Sequence, residues 1–335
     1  MSVREDSDMK AVIATQAGGP EVLQYTDVPD PVLSPTQVLA RTAAAGVNFI
    51  DTYRRAGVYP MPFPHVPGTE GAGEVIAVGT EVDSVAVGDR IAWAAGGPSY
   101  AELVAVEQHV ALPVPEEIDL TTAAAIPLQG MTAHYLVAST FPIQPGQTAL
   151  VHAAAGGVGG LLTQLIVARG GRVIATVGTE EKAELARRAG ASDVIVYTSL
   201  ADLTAELPAL VRDLTDGVGV DVVYDGVGKA TFDASLASLR TRGMLALFGG
   251  ASGQVPPFDL QRLNASGSLF ITRPTLGHHT LDRAETMWRA GELFDAVVAG
   301  SLAVPVGQTF PLANTGDAHR ALEGRATTGK VLLIP

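Results

Sequence analysis

The chain has 335 residues, of which 47% are hydrophobic and 17% charged, and this composition predicts a globular protein long enough for two domains. Its 22 Lys and Arg against 35 Asp and Glu give a formal charge of −13, which argues against nucleic-acid and anionic-membrane partners. No apolar run approaches the roughly 20 residues of a membrane span. The lack of cysteine excludes disulfides, a thiolate zinc site and a cysteine nucleophile. Together these features predict a cytoplasmic protein.

The first part of the chain has the pattern of a compact β domain. Residues 1–8 are charged and are predicted to be disordered. Turn-forming Gly and Pro residues then separate short apolar segments, and a helical stretch follows near residue 127. The predicted strands are Lys10–Thr15, Val38–Ala44, Gly71–Val78, Arg90–Trp93 and Tyr100–Val106.

Apolar strands alternate with helices from residue 148 onward, which predicts a doubly wound parallel α/β sheet with both faces covered. The predicted strands are Thr148–Val151, Arg172–Val177, Asp193–Val196, Val220–Tyr224, Met244–Phe248 and Ser268–Thr272. The predicted helices are Leu161–Ala168, Glu180–Ala189, Leu203–Leu214 and Ala230–Leu239. After residue 273 the pattern becomes mixed again, and its last strand, Val331–Ile334, is expected to rejoin the first domain.

A glycine-rich turn, His152-Ala-Ala-Ala-Gly-Gly-Val-Gly159, connects the first strand of this second region to its first helix. Glycines allow the sharp turn, the close approach of a ligand and the packing of the helix on its strand. The free N–H groups at the start of the helix favour an anion, which predicts that a dinucleotide pyrophosphate binds there. A purely structural βα turn is the alternative for this motif.

The second strand of this region indicates which dinucleotide is bound. Sites that prefer NAD usually end this strand with an acidic residue, but here Val177 is followed by Gly178 and Thr179. Lys182 follows in the next helix, where its ammonium can face a 2′-phosphate, and the hydroxyl of Tyr197 can donate to the same group. This pattern predicts NADPH as the cofactor.

Several longer motifs resemble the quinone oxidoreductases, the zeta-crystallin-like and zinc-free members of the medium-chain dehydrogenase/reductase superfamily. They are Gly-Val-Asn-Phe-Ile-Asp-Thr-Tyr53, Pro-Gly-Thr-Glu-Gly71, the Gly159 loop, Ala-Thr-Val-Gly-Thr-Glu-Glu-Lys182 and Gly-Arg-Ala-Thr-Thr-Gly329. The resemblance implies a GroES-like catalytic domain formed by residues 9–131 and 273–335. A Rossmann NADPH-binding domain, residues 132–272, is then inserted between the two parts.

Zinc-dependent relatives hold their metal with a cysteine and with the histidine of a Gly-His-Glu motif. Here Asn48 and Thr69 stand at these positions, and the tetracysteine lobe is missing. A tetrahedral nitrogen and sulfur site cannot be assembled from these residues, so no metal site is predicted. Oxidation of an alcohol relies on zinc to lower the pKa of the substrate hydroxyl, and this chemistry is therefore not expected.

Hydride transfer without a metal requires an acceptor that takes up electrons readily, such as a quinone or an activated enone. The resemblance places Asn48, Tyr53, Tyr59 and Arg273 near this acceptor, as candidate catalytic residues. Asn48 and Tyr53 can donate hydrogen bonds to the oxygen on which negative charge develops. For Tyr53 packing on a helix face remains the alternative role, and for Tyr59 a loop position.

The resemblance also implies a set of cofactor contacts, some of which can equally be core positions. They are Phe49, Ile50, Thr132, Gly157, Val158, Gly178, Lys182, Tyr197, Gly226, Phe248, Gly249, Phe270, Thr272 and Arg325. Relatives often carry Ser in place of Gly226 and Lys in place of Gln129, so the role of these two side chains is open.

These observations predict an NADPH:quinone oxidoreductase, with one- or two-electron transfer left open. Two alternatives stay open: a reductase of enones or enoyl thioesters, and a non-catalytic, crystallin-like NADPH-binding protein. The charge of −13 disfavours an RNA-binding variant of the second.

The final strand of the parallel sheet, Ser268–Thr272, is apolar and contains neither proline nor charge. In a doubly wound sheet it lies at the edge, where nothing in its sequence protects it from pairing with another strand. A homodimer built through this edge is therefore predicted, and relatives in the family form such dimers. The alternative is that a nearby loop, Val255–Phe258, covers the strand.

Overall fold

The computed structural model describes residues 8–335, in two compact units. The first unit contains the described residues up to Met131 together with Thr280–Pro335, and the second contains Thr132–His279. The second unit therefore ends at His279 instead of residue 272. The disorder predicted for residues 1–8 lies outside the described residues except at Asp8, which begins the first strand.

The strands are β1 (Asp8–Ala14), β2 (Leu23–Pro29), β3 (Gln37–Val47), β4 (Glu70–Val78), β5 (Arg90–Ala94), β6 (Leu103–Glu107), β7 (Leu112–Pro113), β8 (Thr148–His152), β9 (Arg172–Val177), β10 (Asp193–Val196), β11 (Val220–Asp225), β12 (Leu239–Leu247), β13 (Phe270–Thr272), β14 (Val306–Pro311) and β15 (Lys330–Ile334). The helices are α1 (Phe49–Arg55), α2 (Leu120–Ala123), α3 (Pro127–Tyr135), α4 (Gly157–Ala168), α5 (Glu180–Arg188), α6 (Leu203–Asp213), α7 (Phe232–Ser238), α8 (Gln261–Ala265), α9 (Arg283–Val298) and α10 (Thr315–Glu323). A π-helical turn, Leu136–Thr140, follows α3.

The second unit contains a six-stranded parallel sheet in the order β10-β9-β8-β11-β12-β13. Its interior strands bury residues on both faces, as in Val173–Val177 of β9, because helices cover both sides. This order confirms the predicted doubly wound Rossmann sheet and places β13 at its edge. The carboxyl ends of the strands, where ligands bind in such sheets, share one edge.

The first unit has a mostly antiparallel sheet in the order β14-β15-β3-β4-β5-β7, with β6 also paired to β3 and a separate β1-β2 hairpin. Val38, Val75, Ile91 and Trp93 form the centre of one of its apolar cores. The C-terminal strand β15 pairs antiparallel with β3, which confirms that the chain end returns to the first domain.

Several short elements of the first unit were not predicted. β2 ends in Asp27, Val28 and Pro29 and has only half-buried and exposed residues, so its sequence carries little apolar alternation. β14 likewise has no buried residue. Their pairing partners, β1 and β15, supply the stability that local sequence does not. No helix among residues 8–335 is both long and apolar enough to cross a membrane.

Candidate active site

The glycine-rich turn has the geometry expected of an anion-binding helix start. Gly156 is extended and caps α4, a helix with no acidic residue in its first turn. The N–H groups of Gly157 and Val158 begin the helix and so have no acceptor within it. Gly159 packs so closely on the backbone of the turn that an added Cβ would lie 2.8 Å from the Cα of Ala154. These backbone donors fit a dinucleotide pyrophosphate.

The ends of β9 and β10 bring Gly178 and Tyr197 together, and Lys182 follows β9 in the next helix. A Cβ added at Gly178 would lie 3.0 Å from the hydroxyl oxygen of Tyr197, so the absent side chain leaves room beside this hydroxyl. Lys182 is half-buried in the first turn of α5, whereas Glu180 and Glu181 are exposed. The residues here fit a ribose that carries a 2′-phosphate, because a hydroxyl and an ammonium lie at a helix start.

The ends of β11 and β12 form a second close backbone contact. A Cβ added at Gly249 would lie 2.8 Å from the Cα of Gly226, and one added at Gly226 would lie 2.9 Å from the ring of Phe248. Any larger residue would separate the two loops. The structure therefore brings Gly226, Phe248 and Gly249 together, as the prediction of a shared cofactor contact requires.

A buried polar network, which was not predicted from the sequence, fixes these strand ends. Asp225 accepts a hydrogen bond from the Gly228 amide at 3.0 Å and one from the Ser235 hydroxyl at 2.8 Å. His152 contacts the Ser235 hydroxyl at 3.0 Å and the Thr176 hydroxyl at 2.8 Å. Burial lowers the pKa of His152 below its usual value, so its ring is neutral near pH 7 and bridges the hydroxyls without a buried charge. A signal was present in the sequence for two of these residues, since His152 and Asp225 each end an apolar strand.

The remaining candidates of the second unit lie on α3 and at the end of β13. Thr132 is buried in α3, and Thr272 is half-buried. Phe270 is 56% exposed on the edge strand. Arg273 is exposed directly after β13, and its guanidinium donates to the carbonyl of Pro274 at 3.5 Å.

In the first unit the predicted residues cluster around α1. Asn48 is the N-cap of this helix, and Phe49 and Ile50 occupy its half-buried first turn. The ring of Tyr53 lies 6.1 Å from that of Phe49 and 6.0 Å from that of Tyr59. Tyr59 is 39% exposed and Tyr53 is half-buried. The three rings form an aromatic row that ends at the surface of this unit.

The Asn48 carboxamide is engaged by three neighbouring side chains. Its oxygen accepts from the ammonium of Lys330 at 2.9 Å and from the amide of Gln129 at 3.2 Å. Its nitrogen donates to Glu70 at 2.8 Å and to the Gly46 carbonyl at 3.4 Å. All four polar positions of the side chain are therefore used within the unit.

Glu70 and Lys330 were not predicted as site residues, although Glu70 lies within the motif Pro-Gly-Thr-Glu-Gly71. Lys330 directly follows Gly329 and begins the buried strand β15. A lysine at the start of an apolar strand was the signal in the sequence that could have indicated a buried charge. Arg325, a predicted cofactor contact, follows α10 in an exposed position and has a left-handed φ of 56°.

A second buried network holds α1 in place. One carboxylate oxygen of Asp51 accepts from the backbone N–H of Asn48 at 2.9 Å and from the hydroxyl of Tyr100 at 3.0 Å. Burial raises the pKa of Asp51 to about 6, despite these hydrogen bonds. Tyr100 also contacts His319, which Arg55 contacts at 3.0 Å. Burial, and then the charge of Arg55, lowers the pKa of His319 to about 3, so this imidazole is neutral.

Two family models match the chain in the order of these units. The alcohol dehydrogenase GroES-like domain matches residues 34–140, and the zinc-binding dehydrogenase model matches residues 157–288. Despite the second name, no group of three or more His, Asp or Glu side chains is placed to hold a metal within residues 8–335. Fold and site together define a two-domain dehydrogenase or reductase with a dinucleotide-type sheet.

Comparison with individual relatives identifies the family within this class of dehydrogenases and reductases. The quinone oxidoreductase of Pseudomonas aeruginosa is 43% identical over 95% of this chain and 97% of its own. The 2-haloacrylate reductase of a Burkholderia species is 41% identical over 97% and 98%. A mycobacterial structure in complex with NADPH has a TM-score of 0.95 and 49% identity over 98% of this chain and all of its own. The chain belongs to the quinone oxidoreductase family of the medium-chain dehydrogenase/reductase superfamily.

Proposed function

We propose that this protein transfers a hydride from NADPH to quinones. The observation that carries the proposal is the set of donors at the carboxyl edge of the parallel sheet, where the start of α4, Lys182 and Tyr197 offer donors and no carboxylate ends β9. The NADPH complex of the mycobacterial relative and the name of the Pseudomonas relative support the same cofactor and acceptor.

Each part of this edge has a separate role in holding NADPH, which supplies the hydride. The first-turn amides of α4 bind the pyrophosphate. Lys182 pairs with the 2′-phosphate, and Tyr197 donates its hydroxyl to the same group. The close contact between Gly226 and Gly249 holds the two loop backbones together at the proposed place of the nicotinamide ribose. The protein thereby positions the cofactor, and the transfer itself is the cofactor's chemistry.

The aromatic row of Phe49, Tyr53 and Tyr59 suits a planar quinone, which can pack against aromatic rings. As the quinone accepts the hydride, negative charge develops on its oxygen, and the tyrosine hydroxyls and Arg273 are the proposed donors to this charge. A proton from water completes the hydroquinone. Asn48 does not donate to this charge itself, because the N–H groups of its carboxamide are used by Glu70 and by the Gly46 carbonyl.

The proposed reaction is independent of zinc. A metal ligated by the Asn48 oxygen would meet the ammonium of Lys330, which lies 2.9 Å from that oxygen. Repulsion between the two cations in this buried place disfavours the metal. Quinones do not require a Lewis acid, so the proposal is consistent with their chemistry.

The function is tested by following cofactor oxidation with a panel of quinones and enones, using NADPH or NADH and with or without a strong chelator. We expect quinones to be reduced with NADPH and the chelator to have no effect. NADPH should be favoured over NADH by about 10- to 150-fold, the value of one charge-assisted contact to phosphate. Zinc-dependent activity, or no oxidation with any acceptor, would contradict the proposal.

Reduction of enones is a second candidate, favoured by the 2-haloacrylate reductase among the relatives. A carbon–carbon double bond next to a carbonyl group accepts a hydride with the same development of negative charge on oxygen. The acceptor panel separates the two candidate functions. If kcat/KM is higher for the enones than for the quinones, enone reduction replaces quinone reduction as the proposed function.

We also propose that the protein is a homodimer paired through β13. This strand lies at the sheet edge, and Phe270 presents a large, exposed apolar side chain there. Phe270→Lys should therefore shift the protein toward monomer in sedimentation at micromolar concentration. Leu260→Lys is the matched control, because Leu260 is 69% exposed in the same unit but outside the edge strand. A monomeric wild type would refute the proposal. The cytoplasmic location remains a prediction from composition.

A further inference from the structure

Glu70 and Lys330 form a buried ion pair on either side of the end of β3, in the first unit's sheet. They are 0% and 1% exposed, and the ammonium of Lys330 contacts a carboxylate oxygen of Glu70. Glu70 begins β4 and Lys330 begins β15, and both strands pair with β3. Gly46 of β3 lies between them, since a Cβ added there would come within 2.8 Å of the Cε of Lys330. The glycine permits the two side chains to meet.

A contribution to the free energy of unfolding does not explain why the Glu70–Lys330 pair is buried. Burying two charges costs several kcal/mol per ion, on the order of what their attraction returns, and apolar replacements are often neutral or better. Here both charges have further partners. The second oxygen of Glu70 accepts from the amide of Leu128 at 2.7 Å, at the start of α3, and the ammonium donates to Asn48.

The ion pair determines which way the Asn48 carboxamide faces. The oxygen of Asn48 faces the ammonium of Lys330, and the nitrogen faces the carboxylate of Glu70. The inverted amide would place its NH₂ against the ammonium and its oxygen against the carboxylate, so both contacts would become repulsive. One orientation is therefore enforced.

The orientation of Asn48 in turn fixes Gln129. Because the Asn48 oxygen accepts from the Gln129 side chain, the NH₂ of Gln129 must face Asn48. One N–H of this group and the Gln129 oxygen then remain for other partners. Gln129 is half-buried, unlike the fully buried residues behind it, so its free N–H can be reached from outside the cluster.

We propose that Lys330 is a positioning residue for the acceptor: with Glu70 it orients Asn48, and through Asn48 it orients Gln129, whose remaining N–H donates to the acceptor oxygen. The proposal rests on the quinone reductase function proposed above. The proposal gives a role to Gln129, whose function the sequence left open. It also places the ammonium of Lys330 behind the side-chain amides of Asn48 and Gln129, and not beside the substrate.

The main variant is Glu70→Gln with Lys330→Met, which removes both charges together and leaves no unpaired buried ion. We expect it to fold, to bind NADPH with unchanged Kd, and to lose about tenfold or more in kcat/KM for quinones, as for one misplaced hydrogen bond. Glu285→Gln with Arg289→Met is the matched control, because it removes another pair whose cation is 1% exposed in the same unit. The control should keep its quinone kinetics.

Combining the Glu70/Lys330 variant with a change at Gln129 shows whether the ion pair positions Gln129 or only supports the fold. Gln129→Met should cost as much as the Glu70/Lys330 double variant, and combining them should add little, because both remove the same hydrogen bond. Additive losses, a weakened NADPH Kd, or wild-type kcat/KM in the double variant would overturn the proposal.

A measurement that does not depend on turnover tests the positioning role separately from the quinone reductase function. In protein labelled with ¹⁵N at Asn and Gln, the side-chain NH₂ signal of Asn48 should be protected from solvent exchange in the wild type and lose that protection in the double variant. A wild type that reduces no quinone would refute the proposed function. An Asn48 signal unprotected in the wild type or unchanged in the variant would refute the positioning role, whatever the activity.

Discussion

Gly159→Ala is expected to weaken NADPH binding by more than about 100-fold, whereas Gly160→Ala, one residue further along α4, should leave it nearly unchanged. At position 159 an added Cβ would lie 2.8 Å from the Cα of Ala154 and closer still to the carbonyl oxygen of Ala153. Both atoms belong to the backbone and cannot move aside as a side chain can. The turn must therefore shift, and the amides of Gly157 and Val158 shift with it.

The size of this effect follows from the contacts that are lost. Two misplaced N–H donors to a charged pyrophosphate, at roughly 1.5–3 kcal/mol each, correspond to about 100-fold or more in affinity. Overpacking also lowers the free energy of unfolding by about 1–3 kcal/mol. NADPH titration and urea unfolding measure the two quantities separately.

Gly160 is the control because it shares the helix and the chemical change. A Cβ there would lie 3.6 Å from the Ala154 carbonyl oxygen, an ordinary contact, and alanine favours the helix by about 1 kcal/mol over glycine. We therefore expect Gly160→Ala to be neutral or stabilising. Equal losses in the two variants would show that the close approach at Gly159 has no special role.

Between pH 4 and pH 6 the wild type is expected to lose up to about 3 kcal/mol in its free energy of unfolding through Asp51. The variant Asp51→Asn should not show this loss. Burial raises the pKa of Asp51 to about 6, against about 3.9 in an unfolded chain. The folded state thus favours the protonated carboxyl, and each of the two pKa units is worth about 1.4 kcal/mol.

The sign follows from proton linkage. Below about pH 4 the carboxyl is protonated in both states and costs nothing. As the pH rises from 4 to 6, the unfolded chain loses its proton first, so the wild type loses stability, and above pH 6 the loss is constant. An asparagine has no such dependence, while its oxygen can still accept from the Asn48 amide and Tyr100. The change therefore isolates the charge.

Urea unfolding of both proteins between pH 4 and pH 8 tests this prediction. Asp317→Asn is the control, since Asp317 is 55% exposed in its ion pair with Arg320 and should change stability by less than about 1 kcal/mol at any pH. Parallel stability curves for the wild type and Asp51→Asn would contradict the prediction.

The parallel sheet was predictable because its interior strands are buried on both faces and the helices between them have clear ends. Thr179 caps α5, and Gly190 with a φ of 102° follows it, so both boundaries were marked in the sequence. The first unit was harder. α1 has only seven residues, and its stability comes from the buried network of Asp51, Tyr100 and His319, whose members are far apart in the chain.

The same distinction applies to the site. The glycine turn, Lys182 and Tyr197 follow from local order along βα units, and the structure brings Gly178 and Tyr197 together. The cluster at Asn48 depends on Glu70, Lys330 and Gln129, which are far apart in the sequence, and could not be derived from spacing. The resemblance pointed to Asn48 but not to Lys330, because a lysine in a C-terminal strand has no local signature of burial.

The position of β15 between β14 and β3 has a consequence for biosynthesis. A ribosome releases the whole of Thr132–His279 before it synthesises Lys330–Ile334, so the parallel sheet can form while the first unit's sheet still lacks an interior strand. Until Lys330–Ile334 have been made, Glu70 lacks the ammonium of Lys330 beside it, and residues 45–47 of β3 lack their pairing partner. During synthesis this part of β3 is therefore open to pairing with other strands until β15 has been made.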